Sequence, residues 1–459
     1  MSAETPKFIG KKITISGWAE TIRKHKNIIF IDLRDRDGLT QIIIENVNKK
    51  SFEVAQSASI EDVLKIEGWV VSRPKGLENK NLASGKIELH CEKIEVLSKS
   101  KDLPFEIEQK AKKINEETRL KYRYLDLRSN RMKNNLKNRH LVNQFVRNYL
   151  TEQGFWEIET PFLTKSTPEG ARDFIVPSRL HKGKFYALPQ SPQQYKQLLM
   201  VAGIEKYFQI VRCMRDEDQR GDRQPEFTQI DLEMSFIEQK DILSTVEKMI
   251  IELVKKNYPN LKIKKIPFEK LTYNEAMAKY KTERPDLRKN KQDKNEMAFA
   301  WIVDFPAFEW KEKENRWDAV HHPFTMINPQ DINQLEQKDK SKIRALQYDL
   351  VLNGFEIGGG SMRIHKPELL SKIFEILGHK PEDIQRKFSH LLEAFSFGVP
   401  PHGGLAIGYD RLMMILQQED NIREVIAFPK TGDGQDPMMV SPSVIDQEQL
   451  DELNLKIKS

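Results

Sequence analysis

The 459-residue chain is 39% hydrophobic and 31% charged, enough apolar content for two or three cores beneath a heavily solvated surface. It has no run of about 18 apolar residues, and its start, Met1-Ser2-Ala3-Glu4-Thr5-Pro6, lacks the basic-then-apolar pattern of a secretory leader, so neither a membrane span nor export is expected. Two distant cysteines, Cys91 and Cys213, argue against a disulfide framework or zinc site and for the cytoplasm, while the net charge of +6 permits a polyanionic partner without requiring one.

Residues 1–100 read as β structure. The β-branched runs Ile13 to Trp18, Ile28 to Leu33, Gln41 to Ile44, Val63 to Val71 and Ile87 to Val96 are separated by turn signals such as Arg36-Asp37-Gly38. Five strands with one amphipathic stretch, Ser51 to Ser57, predict a Greek-key barrel of the OB type, a fold that often binds single-stranded nucleic acid. A charged stretch, Lys99 to Lys121, reads as a hinge, giving a linker over 101–130 and a second domain over 131–459. There Val142, Phe145, Val146, Tyr149 and Leu150 share a helical face that Gly154 ends, and Phe155 to Thr160 reads as a strand stopped by Pro161. Further strands at Tyr207 to Met214, Phe227 to Ser235, Trp301 to Phe305, Tyr348 to Leu352, Phe355 to Ile364 and Leu405 to Gly408 alternate with helices. This predicts an α+β domain with a largely antiparallel sheet.

Three segments carry chemistry. Arg212 to Asp231 crowds arginines and acids between two strands. It is either a solvated hairpin loop or a phosphate-binding one, because guanidinium grips phosphate in a planar, bidentate way. Phe227, where the loop re-enters the sheet, is placed to stack on a base. Gly403-Gly-Leu-Ala-Ile-Gly-Tyr-Asp-Arg411 is a glycine-rich strand opening into a helix, a weak signal alone. In Tyr348 to Arg363, Asn353-Gly354 marks a tight hairpin pairing Leu352 with Phe355 and Val351 with Glu356. Asp349 and Glu356 then become diagonal neighbours, and such a carboxylate pair is either partly exposed or joined by a cation such as Mg²⁺.

In this order the segments resemble motifs 2 and 3 of class II aminoacyl-tRNA synthetases, and the helix and strand ending at Pro161 resemble motif 1, a dimer-forming element. Phe162-Leu-Thr-Lys-Ser-Thr-Pro-Glu-Gly-Ala-Arg-Asp173, Ala187-Leu-Pro-Gln-Ser-Pro-Gln-Gln-Tyr-Lys196, Arg223-Gln-Pro-Glu-Phe-Thr-Gln-Ile-Asp231 and His321-His-Pro-Phe-Thr325 narrow the resemblance to the bacterial aspartyl branch over essentially the whole chain. It implies an aspartate–tRNA ligase: L-aspartate and ATP form an adenylate, with Mg²⁺, and the aspartyl group passes to tRNA(Asp).

By matched positions, Lys196 and Arg363 would clamp the substrate side-chain carboxylate, and Ser191, Gln193, Gln229 and Asp231 would complete the pocket. Asp231 would meet the ammonium, under a loop carrying Glu169 and with help from His321 or His322. Arg215 would contact the α-phosphate and substrate carboxylate; Asp216, Glu217, Gln224 and Phe227 would serve ATP. Gly408, Tyr409, Asp410 and Arg411 form motif 3, with Arg411 on the γ-phosphate, and Asp349 with Glu356 would hold Mg²⁺. In the barrel, Arg23, Phe30, Gln41, Arg73 and Glu88 fall where the family binds the anticodon, although Phe30 alone could equally be a core strand residue. His25 and Gly76 match family members that charge both tRNA(Asp) and tRNA(Asn). One departure stands out: the large insertion of bacterial members between motifs 2 and 3 is missing, replaced by the charged segment near 284–296. The alternatives are a strictly discriminating enzyme, an asparaginyl or lysyl relative, a silent tRNA-binding paralogue, and a ligase that works without tRNA.

Overall fold

The structure is a computed structural model, and it describes residues 2–80, 82–107, 114–166, 170–217 and 222–458. The chain divides into two units, Met1–Glu106 and Ile107–Ser459.

The first unit is a closed barrel. Strands β1 (Lys12–Lys24), β2 (Ile28–Arg34), β3 (Leu39–Glu45), β4 (Val63–Ser72) and β5 (Ile87–Ser98) close in the order β1-β2-β3-β5-β4, and helix α1 (Lys49–Ser57) connects β3 to β4. Side chains alternate across each strand. Ile29, Ile31, Leu33, Ile42, Ile44, Leu64, Ile66 and Leu89 therefore fill the interior, and the residues between them face out.

The second unit begins earlier than its composition suggests. The span expected to be a hinge contains helices α2 (Glu116–Lys121) and α3 (Arg123–Asp126), followed by the long α4 (Asn130–Glu152). Three of their charged residues, Arg119, Arg123 and Asp126, are buried partners rather than parts of a linker. Arg119 pairs with Asp126 and Glu424, and the Arg123 guanidinium donates to the carbonyls of Arg423, Ile426 and Ala427. Next come a two-residue edge strand, β6 (Trp156–Glu157), shorter than expected, a small hairpin of β7 (Ile175–Pro177) and β8 (Phe185–Ala187), and α5 (Gln193–Val201). The central strands β9 (Lys206–Met214) and β10 (Glu226–Ser235) precede α6 (Gln239–Asn257), β11 (Lys262–Ile263), β12 (Glu269–Thr272) and α7 (Tyr273–Tyr280). After the 284–296 segment come β13 (Glu296–Met297), β14 (Phe299–Val303) and the hairpin β15 (Phe308–Lys311) with β16 (Arg316–Ala319). The chain continues through β17 (Gln347–Leu352), β18 (Phe355–Met362), α8 (Pro367–Ile376), α9 (Pro381–Ser396), β19 (His402–Gly408), α10 (Tyr409–Leu416) and α11 (Gln447–Glu452).

Eight strands form one sheet in the order β12-β14-β17-β18-β19-β10-β9-β6, parallel only at its two edges. One face packs on α4, α6 and α10 through Val142, Val146, Leu150, Val246, Ile250, Leu412 and Met413. Ile230 and Leu232 of β10 point into that core, which turns Gln229, Asp231 and Glu233 to the opposite face, beneath α5. Among the described residues, no helix is long and apolar enough to cross a membrane.

Candidate functional site

That opposite face floors a cavity of about 430 Å³. Of the residues expected in the catalytic site, all but Glu169, Asp216 and Tyr409 line it. Glu169 lies outside the described residues. Asp216 pairs instead with Arg172 at the rim. Tyr409 is fully buried in the core, its hydroxyl donating to the Arg139 carbonyl under the Arg139 guanidinium.

At one end, four charges are buried together. Lys196 Nζ lies 2.9 Å from Asp231 Oδ2 and 3.1 Å from Glu233 Oε2, and Arg363 grips Glu233 through Nε (2.9 Å) and Nη2 (3.1 Å). Arg363 Nη1 donates to Ser361 Oγ at 2.7 Å. Glu233 was not singled out from the sequence. Its only signal is the polar alternation Gln229, Asp231, Glu233 in β10, which marks a face but not that the face is buried. Burial works against the Glu233 charge, but Arg363 and Lys196 outweigh it and hold the carboxyl at about 2. Burial pushes Asp231 up to about 6 despite Lys196, and its Oδ1 has no partner among the described residues. Asp231 and Glu233 thus match Lys196 and Arg363 one for one. Gly404 of the glycine-rich strand has an internal reason too: a Cβ there would stand 2.0 Å from Glu233 Oε2.

Burial, reinforced by Arg363, Lys196 and Arg215, lowers His322 to about 3, so its ring is neutral. Nδ1 accepts from the Phe324 amide at 3.3 Å, which leaves the proton on Nε2, a buried donor with no partner among the described residues. His321 also stays neutral through burial, with its ring edge on Phe305.

The acidic hairpin keeps the expected turn, pairing Leu352 with Phe355 and Val351 with Glu356. A bulge then shifts the register and places Asp349 opposite Gly359. A Cβ at Gly359 would meet Asp349 Oδ1 at 2.8 Å and Glu356 Oε1 at 3.6 Å, so both carboxylates converge over the bare glycine. Burial and then the Glu356 charge raise Asp349 well above the carboxylate range, with only a Gln347 amide hydrogen bond (2.9 Å) in opposition. No cluster of three or more possible metal ligands occurs among the described residues. Two oxygen donors of this kind fit Mg²⁺, which keeps several waters and shares phosphate oxygens.

Between these ends lies a basic and aromatic wall. Arg215 sits 5.1 Å over the Phe227 ring, and Glu217 pairs with Arg223. Arg411 Nη2 pairs with Asp222 at 2.8 Å, Nη1 donates to the Glu356 carbonyl, and Nε has no partner among the described residues. Two expected ATP contacts have structural partners. Asp410 joins Arg139 (2.6 Å) to the Thr228 amide (2.8 Å), and the Gln224 side chain exchanges two hydrogen bonds with the Lys430 backbone.

In the barrel, the strand register sets Arg23 beside Phe30 and Asp32 beside Gln41 on the outer face. Phe30 is half-buried there between the inward Ile29 and Ile31, with the Arg23 guanidinium 5.8 Å from its ring, so it is not a core residue. Glu88 shares that outer face and contacts His90 at 3.1 Å. Arg73 holds the Ile87 carbonyl, and His25 presents a ring edge to Phe30.

The model of class II tRNA synthetases for D, K and N matches residues 115–432, and an OB-fold nucleic acid binding model matches 13–97. The chain belongs to the class II tRNA synthetases of that group. It is 40% identical to an aspartate–tRNA(Asp/Asn) ligase of Endomicrobium trichonymphae and 41% identical to one of Thermotoga maritima, covering 98% of this chain and 97% of each relative. These alignments run over 571 and 572 positions, so each relative has more than a hundred positions without a counterpart here. Among solved structures, the fold matches asparaginyl-tRNA synthetase from Pyrococcus horikoshii with asparaginyl-adenylate (TM-score 0.74, 23% identity, 93% of this chain and 96% of that one). It also matches aspartyl tRNA synthetase from Entamoeba histolytica (TM-score 0.73, 24% identity, 94% and 90%).

Proposed function

We propose that the chain activates L-aspartate with ATP and charges both tRNA(Asp) and tRNA(Asn), acting in the cytoplasm as a homodimer through α4 and β6. The observation that carries aspartate specificity is the buried quartet of Lys196, Arg363, Asp231 and Glu233. Its charges cancel without substrate. An incoming ammonium on Asp231 leaves one positive charge in excess, and a side-chain carboxylate at Lys196 and Arg363 restores neutrality. Asparagine would not, and a lysine side chain would add a second cation. The neutral His321 and His322 contribute hydrogen bonds, not charge.

In the first step an oxygen of the aspartate α-carboxylate attacks the α-phosphorus of ATP. A new O–P bond forms, the bond to the bridging oxygen breaks, and pyrophosphate leaves with its electron pair. The nucleophile is already an anion, so no general base is needed; Arg215 orients the groups and Arg411 takes the departing charge. Mg²⁺ held by Asp349 and Glu356 would neutralise phosphate charge. The terminal ribose hydroxyl of tRNA then attacks the adenylate carbonyl and AMP leaves.

The relatives named for tRNA(Asp/Asn) support dual charging, as do His25 and Gly76. Their surplus length supports the loss of an insertion domain at 284–296. Charging purified tRNA(Asp) and tRNA(Asn) in parallel tests the reading: at least a hundredfold preference for tRNA(Asp) would overturn dual charging. No aspartate-dependent ATP–pyrophosphate exchange would overturn the enzyme itself. His25→Leu with Gly76→Lys should lose tRNA(Asn) selectively. Gly76 has φ of 90° with open space around a Cβ, so this lysine meets backbone strain rather than a clash, and Gly76→Asn is the control.

A further inference from the structure

Helix α5 separates two cavities. Gln193 and Lys196 line the catalytic one, while Gln194, Tyr195 and Leu198 on its other side line a second of about 220 Å³. Leu188 and Pro189 add apolar walls, His390 of α9 closes the floor, and Ser191 touches both cavities. Nothing in the proposed aspartate or ATP chemistry uses this space.

Its floor is polar but uncharged, and one polar atom there is unmatched. Gln194 is 8% exposed, and its Oε1 meets His390 Nε2 at 2.7 Å. An amide oxygen only accepts, so His390 carries its proton on Nε2. Gln194 Nε2 then has no partner among the described residues. Turning the amide over would give Nε2 to His390 and orphan Oε1, so one buried atom stays unmatched either way. Burial and the nearby Lys165 keep His390 neutral. At the rim the Asp173 carboxylate is taken up by Ser166 and Gln190, and Lys165 Nζ by the Arg386 carbonyl. A charged ligand would therefore lose its hydration without meeting a counter-ion on the floor. A flat uncharged ring with an amide edge would satisfy Gln194 while covering Leu188, Pro189 and Leu198.

We propose that this cavity binds a small uncharged aromatic carboxamide or similar ring with a carbonyl edge. Because Lys196 stands on the same helix, occupancy shifts aspartate binding; this coupling rests on the aspartate reading above, whereas the binding does not.

The probe is nicotinamide, offered to the full-length protein with the catalytic cavity filled by a non-hydrolysable aspartyl-adenylate analogue, and read by saturation-transfer NMR. Binding is expected to persist in the filled enzyme and to weaken at least tenfold in Gln194→Leu and in His390→Phe, two variants that guard against a single misfolded one. Pyrophosphate exchange in both variants should stay within twofold of the parent. In the parent, nicotinamide should change KM for aspartate at least twofold and leave KM for ATP unmoved. Absence of binding, displacement by the adenylate analogue, or undiminished binding in both variants would overturn the site. Binding with an unchanged aspartate KM would overturn the coupling. Absence of exchange altogether would strike the aspartate reading and leave the binding result to judge the site.

Discussion

The two ends of the catalytic cavity bury charge in opposite ways. At one, Lys196, Arg363, Asp231 and Glu233 match two cations with two anions inside 3.1 Å contacts. At the other, the buried Asp349 converges with the exposed Glu356, neither carboxylate forms an ion pair among the described residues, and Asp349 is driven toward its protonated form. The matched quartet is part of the folded structure, complete before substrate arrives. Burying Asp349 beside the Glu356 charge opposes folding, a cost that the proposed cation would relieve. The same residue type, a buried carboxylate on a central strand, is thus held ionised by cations in Glu233 and pushed toward protonation in Asp349, where it suits the proposed cation capture.

Removing a charge should therefore have opposite effects on stability at the two ends. The largest effect is expected from Arg363→Leu, which leaves Glu233 buried and unpaired: a loss of roughly 3–5 kcal/mol in denaturant unfolding, with exchange undetectable. Adding Glu233→Leu should return much of the stability and none of the activity. A double variant as unstable as the single one would break the account of the quartet. Asp349→Asn should raise or preserve the melting temperature while lowering exchange about a hundredfold, since a metal contributes several kcal/mol. A destabilised Asp349→Asn would show that the pair is already compensated.

The pH response is the next smaller effect. In its proposed role Asp231 takes an ammonium only when ionised, and burial raises it to about 6. KM for aspartate should rise as pH falls below 6, approaching tenfold per unit. A raised carboxyl is easier to protonate in the folded state, so this group costs stability as pH rises from its ordinary range toward 6, and protonating it does not unfold the protein. Glu233 runs the other way: its contribution is present above the ordinary glutamate range and is lost only as pH falls toward 2. A flat aspartate KM between pH 5 and 8 would remove Asp231 from ammonium binding. The smallest effect is expected from Gly359→Ala, whose methyl would crowd Asp349 Oδ1 at 2.8 Å and weaken Mg²⁺ dependence several-fold, measured by exchange against Mg²⁺ concentration.

Much of the fold is legible in the sequence. β-branched runs broken by turn residues mark all five barrel strands, because such side chains fit a pleated surface and the turns end each run. Asn353-Gly354 fixed the hairpin pairing, since few other dipeptides take positive φ at both positions. Lys196, Arg215, Asp231, Arg363 and Arg411 came from long motifs that keep residue type and spacing together. The failures are equally specific. The charge density of 101–130 suggests a hinge, yet Arg119 and Arg123 bury their guanidinium groups against an acid and carbonyls more than 290 residues away in sequence, a pairing no local window contains. Tyr409 and Asp410 sit inside a motif, but the turn into α10 directs the tyrosine into the core and spends the aspartate on Arg139 and Thr228.

By itself, then, the sequence determined the two-domain plan, the strand faces and which residues carry charge, because these follow from local pattern and spacing. Only the tertiary structure decided which charges meet. Glu233 became the partner of Arg363, and Gly404 the space for its carboxylate, because β10, β18 and β19 lie side by side. Whether a buried charge stabilises the fold or waits for a ligand depends on neighbours within a few ångströms, and those come from distant parts of the chain.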